Sequence, residues 1–255
     1  MLSLCYLLAT VAAAFAAPDT QIIDGAPAQD CEFPSIVHLQ IFNQPTDNMM
    51  SLCGGTLIDS THVLTAAHCV KGHVRKIRVN IGSNNKWAPG PQSTTVSNIV
   101  RHEEYINSLF LIMNDIAVLT LSKPVHENRC VKFATMARPG EKFDNLKCIA
   151  AGWGTLRFKG SSPNKLYKVA LPAIPHDVCK RRSRMHIADG VLCAGDFIPG
   201  GASTCHGDSG GPLYCPSSNG QMVVAGITSF GQRCNSDISA FSDVGYFRNW
   251  IDRHL

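Results

Sequence analysis

The cysteine pattern restricts this chain more than any other feature. Of eleven cysteines, Cys5 stands in an apolar leader and ten follow, at positions 31, 53, 69, 130, 148, 179, 193, 205, 215 and 234. No Cys-x-x-Cys or His-x-x-x-His pair occurs, so a zinc site is not expected. Met1 to Ala17 is almost wholly apolar, and Ala14-Phe15-Ala16 has the small-x-small form of a signal-peptide cut. The reading is a secreted chain with a signal peptide over 1–16. Ten cysteines in an oxidising compartment imply five disulfides, and hence a fold whose segments meet pairwise at those points. The leader falls short of the roughly 20 apolar residues of a spanning helix, and no later run is long enough, so no membrane span is expected.

The rest of the sequence alternates in short β-rich runs between turn residues. Ile36 to Phe42, Thr56 to Leu64, Lys76 to Gly82, Thr94 to Val100 and Ile116 to Leu121 form one set. Lys147 to Gly152, Lys165 to Leu171, Gly211 to Cys215, Met222 to Ser229 and Ala240 to Val244 form a second. A turn-rich stretch around Lys123 to Gly140 separates them, which predicts an all-β chain of two barrels. Asp243 to Leu255 changes period, with Val244, Phe247, Trp250 and Ile251 about one helical turn apart, and reads as a short amphipathic C-terminal helix. A hydrophobic content of 45% supports a real core, and a net charge of +4 is far too mild for nucleic-acid binding.

Three segments carry chemistry. Gly207-Asp208-Ser209-Gly210-Gly211-Pro212 sets a hydroxyl among glycines that permit a tight turn with free N–H groups. A serine alone is a poor nucleophile and needs a base and donors for a developing oxyanion. The base candidate is His68 in Thr65-Ala66-Ala67-His68-Cys69, at the end of an apolar strand. Asp115, at the mouth of the apolar run Ile116-Ala117-Val118-Leu119, is a buried acid in need of a partner. His73, His102, His176 and His186 stand in polar or basic loop sequence, where a solvated ring is expected.

Together, and in the order His, Asp, Ser, these segments resemble the chymotrypsin–trypsin family of serine proteases. The resemblance extends to Ile22-Ile23-Asp24-Gly25, Cys53-Gly54-Gly55-Thr56-Leu57-Ile58, Gly152-Trp153-Gly154, Cys193-Ala194-Gly195 and Ile227-Thr228-Ser229-Phe230-Gly231. It implies two six-stranded antiparallel barrels, at about 22–125 and 135–242, with the active site between them and the terminal helix at 243–255. His68, Asp115 and Ser209 would then be catalytic, and the N–H groups of Gly207 and Ser209 would form the oxyanion hole. Ser203, Ser229, Phe230, Gly231 and Ser239 would line the substrate pocket. The resemblance pairs Cys53–Cys69, Cys148–Cys215, Cys179–Cys193 and Cys205–Cys234, and leaves Cys31 and Cys130 for the fifth bridge.

It also implies a zymogen. A propeptide over 17–21 would be cut to free the Ile22 ammonium, which pairs with Asp208 and orders the oxyanion hole. Gln21 stands where relatives commonly carry Arg or Lys, so trypsin is not the expected activator. Val70 to His102 holds no Asp or Glu, which removes the acidic calcium loop of some relatives, and no cofactor is expected. The expected partners are protein or peptide substrates and protein protease inhibitors, with the chain a monomer. Ser203, six residues before the nucleophile, offers no carboxylate to a basic side chain, so large or medium apolar residues are expected before the cut. A different gap placement would bring Asp237 towards the pocket. The run Lys180-Arg181-Arg182-Ser183-Arg184 reads as a solvated charged loop or as an exosite for an acidic partner. The rival reading of the chain is a non-catalytic binding protein on the same fold.

Overall fold

The computed structural model describes residues 25–43, 50–156, 159–197, 201–231, 234 and 238–255. The expected signal peptide and propeptide, Ile22 and Asp237 lie outside the described residues. Chain order runs from β1 (Ala26–Pro27) through β2 (Ile36–Phe42), β3 (Met50–Leu57), β4 (His62–Thr65), β5 (Lys76–Ile81) and β6 (Gln92–Arg101). A small hairpin, β7 (Ile106–Asn107) and β8 (Ile112–Met113), precedes β9 (Ala117–Leu121). The second half holds β10 (Lys147–Gly152), β11 (Tyr167–Ile174), helix α1 (His176–Arg182), β12 (Val191–Ala194), β13 (Pro212–Pro216), β14 (Met222–Gly231), β15 (Ser239–Asp243) and helix α2 (Val244–Asp252).

Six antiparallel strands close the first barrel in the order β2-β3-β4-β9-β6-β5. The sequence IVHLQIF of β2 shows why: Val37, Leu39 and Ile41 point to the barrel interior and are fully buried, and Leu39 lies opposite Cys53 on one side and Val79 on the other. Each such side chain contributes roughly 1.5–3 kcal/mol by leaving water. The other face of β2 is also covered, since the His38 ring meets Trp153 edge-on at 5.2 Å. Burial pushes His38 down to about 4, so the ring is neutral at physiological pH.

The second barrel runs β11-β10-β13-β14-β15-β12 and closes through β11–β12, with β1 added on the edge of β11. The fold is thus all-β with two closed six-stranded barrels and a C-terminal helix. A shared core joins the barrels, from Leu39 and Val79 of the first to Leu213 and Phe241 of the second. Polar contact reinforces the seam, with Ser35 and Tyr214 hydroxyls 2.7 Å apart. Five disulfides are present: Cys31–Cys130, Cys53–Cys69, Cys148–Cys215, Cys179–Cys193 and Cys205–Cys234. No helix among the described residues is long and apolar enough to cross a membrane.

Four expectations need correction. Thr56 to Leu64 is two strands, because the Asp59 carboxylate accepts from the backbone N–H groups of Thr61 and His62 and stabilises a turn between β3 and β4. The basic run is not wholly loop: its first three residues end α1, where cations meet the helix's free carbonyls and Asp177 pairs with Arg181 one turn on. His102 is not solvated; it stacks on Trp250 at 5.0 Å, and burial is the main cause holding its pKa below the usual histidine value. Helix α2 is shorter than 243–255, since Asp243 is its N-cap, accepting from Tyr246 N, and Arg253 its C-cap.

Candidate active site

The register of β4 against β9 sets the first half of the site. Thr65 pairs with Ala117 in antiparallel sense. His68 follows that pair by three residues and Asp115 precedes it by two, so both lie at the same end of adjacent strands. A short 3-10 turn over Ala67–Val70 carries His68, and Asn114 at φ 54° turns the chain into Asp115, a conformation Asn tolerates well. The Asp115 side chain is 2% exposed and accepts three bonds: from His68 N to Oδ1 at 2.8 Å, from His68 Nδ1 to Oδ2 at 2.7 Å, and from Ser229 Oγ to Oδ2. Ser229 belongs to β14 of the second barrel. Ser242 of β15 adds a bond from its Oγ to the Asp115 carbonyl at 2.7 Å.

The serine turn reaches across the same seam. Gly54 N donates to Ser209 O at 2.8 Å, and Thr65 Oγ1 donates to Gly54 O at 2.9 Å. Gly210, at φ +76°, presses so closely on this joint that a Cβ there would lie 2.2 Å from Thr65 Oγ1 and 2.6 Å from Gly54 O. Gly210→Ala is therefore expected to destabilise the chain by about 2 kcal/mol, through the left-handed backbone and the clash together. Urea unfolding checks this, and an unchanged midpoint would show that the seam yields freely. Between Ser209 and His68 the structure holds no hydrogen bond. The N–H groups of Gly207 and Ser209 donate to no other described residue.

Asp208 is buried beneath this turn. Its Oδ1 accepts from Gly154 N at 2.8 Å and its Oδ2 from Cys205 N at 2.9 Å. A Cβ at Gly152 or Gly154 would lie 2.1 or 2.4 Å from the carboxylate, which explains the need for both glycines around Trp153. Burial pushes Asp208 up to about 6, against the opposing pull of those two N–H donors. Ile22, its expected partner, lies outside the described residues.

Of the expected pocket residues, Ser229, Phe230 and Gly231 lie on β14 and Ser239 on β15, while Ser203 lies outside both strands. Gly231 lies opposite Ser239, and Phe230 opposite Ala240. Ser203 and Ser239 are each 1% exposed. Ser239 Oγ accepts from both Thr204 N and Thr204 Oγ1 at 3.0 Å, so the residue after Ser203 is clasped to β15. A family model described as Trypsin matches residues 22–251. The chain belongs to the trypsin family. Chymotrypsin-C of Bos taurus is 33% identical over 245 residues, which cover 92% of this chain and 89% of that protein. Transmembrane protease serine 11C of Mus musculus is 34% identical over 238 residues, 91% of this chain and 53% of the relative. Transmembrane protease serine 9 of Rattus norvegicus is 31% identical over 240 residues, 92% of this chain and 22% of the relative. The chain thus spans about half the length of the second relative and about a fifth of the third.

In this trypsin-family chain the structure also places residues that the sequence did not single out. Ser242 holds the Asp115 carbonyl, and Thr204 holds Ser239. Each is an ordinary residue whose importance lies in a partner far along the chain. No local pattern marks them.

Proposed function

We propose that this chain is a secreted serine endopeptidase using Ser209 as nucleophile, His68 as base and Asp115 as the group that orients the base. The observation that carries the reading is the bond from His68 Nδ1 to Asp115, at the end of the seam that also holds Ser209. A carboxylate only accepts, so it keeps the proton on Nδ1 and leaves the Nε2 lone pair for the serine. As the peptide carbonyl is attacked by Ser209 Oγ, the hydroxyl proton passes to His68 Nε2. The oxyanion is held by the N–H groups of Gly207 and Ser209. His68 then gives its proton to the leaving amine, an acyl-enzyme forms, and water repeats the steps to release the acid.

Five disulfides favour an exported protein. Signal peptide 1–16 and propeptide 17–21 precede a protease domain over 22–255, and cleavage before Ile22 supplies an ammonium to Asp208. Protein inhibitors that fill the cleft are its expected regulators, with the enzyme a monomer. Covalent labelling of Ser209 by an organophosphonate, blocked in His68→Ala, tests the reading directly. Absence of labelling in the matured chain would favour a binding protein that has only kept the fold.

Specificity follows from the pocket. With Ser203 at its base, a buried guanidinium or ammonium would stay unpaired at a cost of several kcal/mol. The clasp between Ser239 and Thr204 also narrows the slot, favouring Leu, Met, Phe and Tyr over Trp. Likeness to a protein named chymotrypsin-C agrees with this. A peptide panel varied only before the scissile bond is expected to show Leu or Phe cleaved at least about tenfold better than Arg or Lys. The reverse order would overturn the apolar assignment and leave the mechanism standing.

A further inference from the structure

Beside the cleft stands a surface that the hydrolytic mechanism does not use. The hairpin of β7 and β8 leads straight into Asn114 and Asp115, and its tip is closed by Ser108, whose Oγ donates to Leu111 O. That closure turns Leu109 and Phe110 outward, 82% and 74% exposed, the two most exposed large apolar side chains among the described residues. They adjoin the basic run that ends α1 and continues past it: His186 N donates to Phe110 O, and Leu111 bridges His186 in parallel sense. Of the four cations there, Lys180 pairs with Asp189 and Arg181 with Asp177. Arg182 lies over the Phe197 ring, and Arg184 has no ion-pair partner among the described residues. Arg184 is two residues from His186, at most about 7 Å away along the chain.

This apolar tip beside unneutralised guanidinium groups is tied to the substrate pocket. Leu111 and Met113 of the hairpin, Val178 of α1, and Phe230 of the pocket wall all pack on one small apolar cluster. We infer that Leu109, Phe110, Arg182 and Arg184 form an exosite for a polypeptide segment in which a large apolar side chain is flanked by Asp or Glu, carried by the protein substrate itself. The inference rests on the endopeptidase reading and adds a second point of contact to it. Charge complementarity selects acidic partners, because the forked guanidinium pairs bidentately with carboxylates, and Arg and aromatic residues are the side chains that most often dominate interfaces. A polypeptide is the natural occupant because the endopeptidase reading already assigns one to the adjoining cleft. Such a contact lowers KM by raising the local concentration of the cleavable bond, and leaves kcat nearly unchanged.

The experiment compares a tetrapeptide amide containing Leu before the cut with longer peptides that add a block of Phe flanked by Asp and Glu at varied distances on either side. At least one extended substrate is expected to show a KM about tenfold below that of the tetrapeptide, with the advantage fading in high salt. Arg184→Glu combined with Leu109→Ser and Phe110→Ser should abolish that advantage and leave tetrapeptide turnover within about twofold. Replacing the acids of the block by Lys should restore it for Arg184→Glu alone. The exosite is refuted when no block position lowers KM, when the variants slow both substrates alike, or when anionic vesicles bind the tip and the peptide block does not. A matured chain that cannot cleave even the tetrapeptide counts against the endopeptidase reading instead. The exosite is then judged from the anisotropy of the labelled block on the full chain, where Arg184→Glu should weaken binding about tenfold and equal binding would refute it.

Discussion

Replacing Ser209 with alanine is expected to abolish peptide hydrolysis by the matured chain and to leave its unfolding midpoint almost unmoved. Ser209 is tied in place by its carbonyl, which accepts from Gly54 N, and not by its hydroxyl. Removing one oxygen therefore costs the fold little and the reaction its nucleophile, a loss of about 10⁶ in turnover where serine and histidine act as a unit. Asp115→Asn is expected to lower turnover by about 10⁴. An asparagine amide would present a donor towards His68 Nδ1, forcing the proton to Nε2 and removing the lone pair that the serine needs. The measurement is kcat/KM on a Leu-containing peptide, with circular dichroism to establish folding. Near-wild-type hydrolysis by Ser209→Ala would end the serine-protease reading outright.

The second large effect belongs to Asp208 and to stability. In the uncut chain no cation among the described residues approaches its carboxyl, and burial pushes it from 3.8 up to about 6. The folded state then holds a proton that the unfolded state has released between those two values. Stability from this group is fully present below about pH 4 and is lost as pH rises through about 6, a fall of about 3 kcal/mol. Urea unfolding of uncut Ser209→Ala chain from pH 4 to 7, with and without Asp208→Asn, isolates the contribution. The aspartate form should lose stability relative to the asparagine form as pH rises. Parallel curves would mean that the carboxyl already has a charged partner before cleavage. Freeing Ile22 is expected to supply one and flatten the difference.

Much of this was legible in the sequence because the signals are local. Short β-rich runs between turns predicted two barrels, and the period of Val244, Phe247, Trp250 and Ile251 predicted α2, all four of which are buried. The glycines around Trp153 and Ser209 were legible as a family motif, but not the reasons for them, which are the approach of the Asp208 carboxylate at Gly152 and Gly154 and the close joint with Thr65 and Gly54 at Gly210. Helix α1 was missed because Cys179 is its one buried residue, too few to set a period, and charge dominates the rest. The break at Asp59 was missed because apolar residues on both sides of a four-residue connection look continuous. Ser242 and Thr204 were beyond reach, since a serine or threonine in a strand or loop has no distinctive neighbours until its distant partner is known. Ser229 was found only through the family resemblance.

The joint between Gly54 and Ser209 has a consequence for the order in which the molecule is made. The bonds that complete the site are among the least local in the chain, with Ser229 and Ser242 reaching Asp115 over sequence separations of 114 and 127. Closing such contacts is entropically slow, and the rate of folding falls as contacts become less local. Each barrel is expected to gain its own hydrogen-bond ladder first, while the imidazole and the carboxylate of the first barrel are still apart from the hydroxyl of the second. No fragment released early, and no chain stalled before the barrels dock, carries a working portion of the machinery. On the proposed reading, proteolytic power emerges only at the final docking step, so a nascent copy in an export route is expected to be harmless to its neighbours independently of any propeptide.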